Sequence, residues 1–256
     1  SMSPNITQHG DTTLIVSWIE PNNHGHELRY TKFSPWGWSE TKTVATGSNW
    51  FVNWADFPSV IELDNKNLIA HWLESQPEGG YAYNVMLSRS EDSGQNWSKP
   101  IIPHKDNTPT EHGFVTLYPD ENKLGLIWLD GRNMINNFDI NNIKASGMTL
   151  RGSSLNSTNV VSESTLIDDL ICDCCQTDVA ITNKGPVAVY RNRTENEVRD
   201  IYVSRKVDGM WLKGEPIFND NWQIDACPVN GPVIKAHGET VAVIWFTAAN
   251  DNPRVQ

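Results

Sequence analysis

The chain has 256 residues, 11 of them Trp and 4 Cys, and a formal net charge of −11. That charge argues against a nucleic-acid partner, whose phosphates are held by Lys and Arg, and no apolar run approaches the roughly 20 residues of a membrane-spanning helix. The length suits one large all-β domain or two small ones, and no long stretch carries a helical period.

Taken in chain order, five β-rich runs carry an aromatic at or near their end: 14–20, 68–74, 124–130, 187–192 and 241–247. The aromatics stand at positions 18, 72, 128, 190 and 245, spaced by 54, 56, 62 and 55 residues. Runs of Val, Ile, Leu and Trp bounded by Asn, Asp, Gly and Pro clusters read as buried strands. An all-strand repeat of this length predicts the four-stranded blades of a β-propeller, here labelled A to D outward, with the aromatic on B.

The first unit has A at 5–8 and C at 26–33. In the second, A is 59–63 and C is 83–88, with a further strand-like run at 98–102. The third has A at 114–118 and C near 140–146. The fourth has A at 177–181 and C at 199–205, with a tight turn at 206–211. The fifth has A at 233–236 and B at 241–246, with no C or D expected. The predicted blades are 3–48, 49–105, 106–165, 166–221 and, in part, 222–256, a single domain of about four and a half blades read as an incomplete ring. A closed ring must not leave a bare edge, so the chain reads as part of a longer one, or as a five-bladed ring completed by another segment or another chain.

Between two of these strands lies 90–97, which reads S-x-D-x-G-x-x-W with Ser90, Asp92, Gly94 and Trp97 at its defining positions. Asp92 can accept backbone N–H groups in a tight turn, and Gly94 can take a positive φ where the chain reverses. This octapeptide resembles the Asp box, or BNR repeat, of the sialidase-like β-propellers, in which it is a structural hairpin away from the active site, and the resemblance implies six blades in the parent. The segments 172–177, 191–193, 199–201 and 227–232 look like those of a bacterial subgroup of that family with a C-x-C-C segment.

In such blades the D–A and B–C loops share one face, where a rigid scaffold presents function. The D–A loops hold Trp54, Asp56, His112, the Cys cluster and Trp222. The B–C side adds Glu20, Glu74, Asp130, Arg132, Arg191, Arg193, Glu195, Glu197 and Arg199. An acid two residues after the aromatic recurs at Glu20, Glu74 and Asp130. One reading has these acids bonding backbone N–H groups of a neighbouring blade, the other has them meeting a ligand.

The resemblance implies a carbohydrate-directed, exported protein (periplasmic or secreted, its leader trimmed), with exo-α-sialidase as its enzymatic form. Sialidases of this kind use three Arg on the sugar carboxylate, a Tyr nucleophile paired with a Glu, and an Asp acid/base. The Arg-Ile-Pro opening of such enzymes is absent, and none of the D–A loops carries an Arg. For catalysis the candidates are Asp56 as acid/base with Glu74 or Asp130 as second carboxylate. Arg132, Arg191, Arg193, Arg199 and His112 are candidates to hold a ligand, and Trp54 or Trp222 to stack on sugar. The alternative is a propeller that binds glycan or protein without catalysis.

Cys172, Cys174, Cys175 and Cys227 fall in two consecutive D–A loops. An even count in an exported fold favours disulfides, and Cys227 with one of the other three is the natural staple. A second bond joining Cys172 to Cys174, or Cys174 to Cys175, would be strained. No cofactor is expected, although a soft metal on these thiolates, or a redox role for them, is the rival reading.

Overall fold

The computed structural model of the protein describes residues 2–64, 66–134 and 147–256. The apolar runs become strands of antiparallel sheets in which sequence neighbours pair, the simplest outcome for strands joined by tight polar turns. None of the described helices is long and apolar enough to cross a membrane. The residues form two compact units, Ser1–Pro109 and Thr110–Gln256.

In the first unit β1 (Met2–His9), β2 (Thr13–Asn22), β3 (Gly25–Ser34) and β4 (Gly37–Trp38) follow one another across a sheet, and β5 (Lys42–Gly47) also pairs with β3. The second sheet is β6 (Ser59–Glu62), β7 (Leu68–Ser75) and β8 (Tyr83–Ser90). The run 98–102, expected as a strand, makes one bridge between Leu87 and Ile101 instead. β7 is buried from Leu68 through Leu73 on both faces, so it reads as a continuous apolar run rather than an alternating one. Its Leu68, Ala70 and Trp72 pack with Ile15, Leu28, Tyr30 and Val60 in one core cluster. Full burial of an aliphatic side chain of this kind contributes about 2 kcal/mol.

The turn after β8 is held by its own side chains. Ser90 Oγ donates to Asp92 Oδ1 at 2.8 Å, and Asp92 Oδ1 accepts from the backbone N–H groups of Gln95 and Asn96, each at 2.9 Å. The Asn96 N–H and side-chain amide lead a set of donors that pulls the Asp92 carboxyl down to about 2. Gly94 has φ 79°, and Trp97 meets Tyr30 edge-on with centroids 6.2 Å apart.

In the second unit β9 (His112–Asp120), β10 (Lys123–Asp130), β11 (Met148–Leu155) and β12 (Thr165–Ile171) form a four-stranded meander. The third-unit C strand placed near 140–146 lies outside the described residues, and the strand that pairs with β10 is β11. Next come β13 (Asp178–Thr182), β14 (Gly185–Arg191) and β15 (Ile201–Val207), with β16 (Met210–Trp211) and β17 (Glu215–Pro216) both paired to β15. The fifth repeat begins with the hairpin β18 (Val233–His237) and β19 (Thr240–Ile244). Contrary to expectation a partner on the C side exists: β20 (Phe246–Thr247) pairs with β21 (Arg254–Val255), and Trp245 and Gln256 exchange both backbone hydrogen bonds.

Candidate functional site

The repeated aromatics are tied to carboxylates in every repeat. Residues i and i+2 share one face of a strand, so the Trp72 indole N–H reaches Glu74 Oε1 at 3.0 Å and that of Trp128 reaches Asp130 Oδ2 at 2.7 Å. Trp18 donates to Glu20 Oε2 at 3.4 Å. Where position i+2 is not acidic, the carboxylate comes from elsewhere: the Tyr190 hydroxyl donates to Asp168 Oδ2 at 2.6 Å, and Trp245 to Asp220 Oδ2 at 2.8 Å. The expected bonds from these acids to a neighbour's backbone are thus replaced by bonds from the aromatic of the repeat. A buried indole or phenol needs a partner, and an ionised acceptor gives a strong bond.

Asp130 is the most constrained of these acids. It is fully buried. Arg132 grips it with two parallel bonds, Nε to Oδ1 at 2.6 Å and Nη2 to Oδ2 at 2.7 Å. His112 Nε2 stands 3.8 Å away and is itself fully buried, with Nδ1 against the Thr110 carbonyl at 3.1 Å. Burial pushes the Asp130 carboxyl up, but Arg132, His112 and Trp128 outweigh it and hold it below the usual carboxylate range. Asp130 is thus held as the carboxylate against Arg132, and a ring nitrogen of His112 lies within 4.8 Å of ligand atoms of His104 and Asp106, a group that could hold a metal ion.

In the first unit the loop 50–58 and the loop 76–82 flank the end of β7. Phe51 N–H bonds the Leu73 carbonyl and Ser75 N–H the Asn49 carbonyl, which lays the start of the first loop along β7. His71 fixes its far end. The ring is fully buried, with Nε2 3.0 Å from the Phe57 carbonyl and Nδ1 2.9 Å from Ser59 Oγ. Burial lowers its pKa to about 4, so the neutral ring donates through Nε2 and accepts the serine hydroxyl at Nδ1.

At the tip of that loop Trp54 is 74% exposed. Tyr81, from the second loop, is 68% exposed. Between the loops Phe51 stacks on Tyr83 with centroids 4.1 Å apart and meets Tyr81 edge-on at 6.0 Å. Tyr83 in turn donates to Asp56 Oδ2 at 3.2 Å, and Asp56 is buried. Glu74, half-buried, and the Gln76–Asn84 amide pair at 2.9 Å end the neighbouring strands. Trp54, Asp56 and Glu74 were singled out from sequence. Phe51, Tyr81 and Tyr83 were not, and the two exposed or stacked loop aromatics were visible only as polar-loop exceptions.

In the second unit the remaining arginines are committed inward. Arg191 is buried and donates to the backbone carbonyls of Asn230, Arg199 and Phe246 at 3.0, 2.6 and 2.8 Å. Its guanidinium lies 5.0 Å from the Trp222 ring centre, and Trp222 is 7% exposed, so the expected sugar-stacking role of Trp222 is replaced by a cation–π contact. Arg193 pairs with Glu197 at 2.7 Å and Asp173 at 3.1 Å, while buried Arg199 pairs with Glu197 at 2.8 Å. Glu195 takes no part in these pairs. A cavity of about 720 Å³ beside this cluster is lined by Asp168, Asp169, Asn192, Arg193, Glu195 and Lys213. A groove of about 850 Å³ lies at the opposite end of the strands, among turn residues such as Asp120, Lys184 and Asp208.

Cys174 and Cys227 form a disulfide, the inter-loop staple expected. Cys172 and Cys175 are buried free thiols.

No protein-family model matches the chain, and no curated protein matches it in sequence. Solved structures do match. The α-L-arabinanase of Penicillium chrysogenum, solved with arabinobiose, is 14% identical with a TM-score of 0.61, over 100% of this chain and 77% of that one. An α-L-arabinofuranosidase from Fusarium graminearum, solved with an iminosugar inhibitor, is 16% identical with a TM-score of 0.60, over 100% and 79%. The endo-arabinase of Bacteroides thetaiotaomicron is 12% identical with a TM-score of 0.54, over 100% and 92%. The likeness is one of fold: the chain is an all-β propeller built of antiparallel sheets.

Proposed function

We propose that the protein is a carbohydrate-directed β-propeller that hydrolyses a neutral glycan at the aromatic loops of its first unit. The observation that carries this reading is the shelf of Trp54, Phe51 and Tyr81 beside the buried Asp56–Tyr83 pair. Exposed aromatic faces suit the apolar face of a sugar ring, and a few fixed polar groups beside them suit its hydroxyls. Asp56 is the acid/base candidate, with Tyr83 orienting its carboxyl, and Glu74 is the second carboxylate of the pair that glycosidases use. Arabinose-chain hydrolases among the structural neighbours support this substrate class.

A sialidase-type clamp is less well supported, since Arg132, Arg191, Arg193 and Arg199 are each engaged by internal partners. We place the protein outside the cytoplasm, in keeping with its Cys174–Cys227 disulfide.

A second reading, glycan binding without hydrolysis, is favoured by one observation: Glu74 already accepts the Trp72 indole. The test is turnover of arabinans, aryl arabinofuranosides and α-sialosides by the wild type, Asp56→Asn and Trp54→Ala. Hydrolysis of a neutral substrate is expected, with kcat lowered about 100-fold or more by Asp56→Asn and KM raised by Trp54→Ala. Binding of the same glycans without turnover establishes the second reading. Absence of both from folded protein overturns the carbohydrate assignment.

A further inference from the structure

Four cysteines meet at the end of β12, and the Cys174–Cys227 disulfide accounts for two of them. The other two, three residues apart, have their sulfurs 2.8 Å from each other. That separation lies between a disulfide bond of about 2.05 Å and the contact of unbonded sulfurs. Each is 1% exposed.

A metal is poorly suited to this site. Cys174 is withdrawn into the disulfide, leaving two thiols where structural zinc takes four ligands. Arg199 Nη1 stands 3.4 Å from Cys172 Sγ, and the charge of Arg191 interacts with both sulfurs. Two guanidinium groups oppose an incoming cation and favour a thiolate.

From this juxtaposition we infer that Cys172 and Cys175 are a C-x-x-C redox pair, which closes to a second disulfide by exchange with a small-molecule disulfide of the glutathione class. The Cys175 thiol, the Cys174 N–H and Arg199 hold the Cys172 thiol down to about 6 against its burial, while burial and the neighbouring sulfur push Cys175 up. In the exchange Cys172 attacks as its thiolate. It displaces one thiolate from the small disulfide and forms a mixed disulfide. Cys175, losing its proton, then attacks the Cys172 sulfur, and the second small thiolate leaves. Two protein thiols are oxidised, one small disulfide is reduced to two thiols, and these take up the two protons.

Because both sulfurs are buried, exchange proceeds while the segment is open, during folding or local opening, and the closed fold keeps the state it was given. Closure also removes the thiolate beside Arg199, leaving that guanidinium to Glu197 at 2.8 Å.

The experiment is disulfide mapping of the full chain, refolded in glutathione buffers from reducing to oxidising, quenched in acid, alkylated and digested without reductant. In oxidising buffer the expected products are Cys174 linked to Cys227 and Cys172 linked to Cys175, with no alkylated cysteine. In the Cys175→Ser variant Cys172 is expected as its mixed disulfide with glutathione, since the resolving thiol is gone. Alkylation of both Cys172 and Cys175 in the most oxidising buffer overturns the inference. So does a different linkage, or stoichiometric zinc or copper in the folded protein by elemental analysis.

Discussion

His71 shows how one side chain can set the acid limit of a unit. Its neutral ring joins the Phe57 carbonyl to Ser59 in the interior, and burial lowers its pKa from 6.5 to about 4. Above pH 6.5 the ring is neutral in both states and the arrangement contributes fully. As pH falls, the unfolded chain takes up the proton first, so stability declines through the window from about 6.5 to 4. The whole window amounts to ~3 kcal/mol. Urea unfolding at pH 7.5 and 5 should show a falling midpoint in the wild type and a flatter pH dependence in His71→Gln, whatever that variant's baseline. Asp130 acts lower on the scale. Its depressed carboxyl contributes above the unfolded value and is lost as pH falls through the folded one, below the His71 window. Its indole bond gives a second prediction. Trp128→Phe leaves a buried carboxylate short of a donor and should cost about 2 kcal/mol beyond the lost ring area. Trp18→Phe, whose partner Glu20 is part-exposed and also held by Arg29 at 2.7 Å, should cost far less for the same bond.

At the scale of elements, the fold depends on aromatic rings lying against glycines. Gly94, in the turn after β8, has φ 79° and sits against the Tyr30 hydroxyl, so an added methyl meets both backbone strain and a buried ring. Gly79, in the loop 76–82, has φ 71° and open space around it. Gly94→Ala is therefore expected to cost about 3 kcal/mol and Gly79→Ala about 1 kcal/mol, a difference that thermal melting of the two variants measures. The strands themselves were legible from composition. Trp72, Trp128 and Tyr190 mark β7, β10 and β14, because a strand buried on both faces must be a near-continuous apolar run, while Trp18 marks β2, whose burial alternates. Less visible were elements held by one or two bonds, such as the bridge at Ile101 and the short pair β20–β21. The candidate site was legible in part. Trp54 stands exposed at a loop tip, Asp56 is buried in the same loop, and Glu74 lies near the end of β7. Trp222, His112, Arg191 and Arg199 look alike in sequence but are buried, since whether a loop residue faces solvent depends on what packs over it. Nothing at position 190 announces Asp168 as its partner, 22 residues earlier.

At the scale of the whole molecule, the propeller places chemistry on loops, and loops are stabilised by few contacts of their own. The Cys174–Cys227 disulfide answers this in the second unit by joining the loop after β12 to the loop before β18 across a sequence separation of 53. Cross-linking residues that far apart restricts the unfolded chain, and the chain-entropy account assigns a loop of this length about 4 kcal/mol. A Cys172–Cys175 bond encloses a loop of three steps along the chain and restricts the unfolded state less. The two bonds therefore separate in their effect on stability. Denaturant unfolding should show Cys227→Ser losing about 4 kcal/mol relative to oxidised wild type, whereas Cys172→Ser loses about 2 kcal/mol. Reductant should lower the stability of the wild type most, of Cys172→Ser next and of Cys227→Ser least. Equal losses in the two variants would instead assign the stabilisation to the packing of the buried sulfurs rather than to the long-range cross-link.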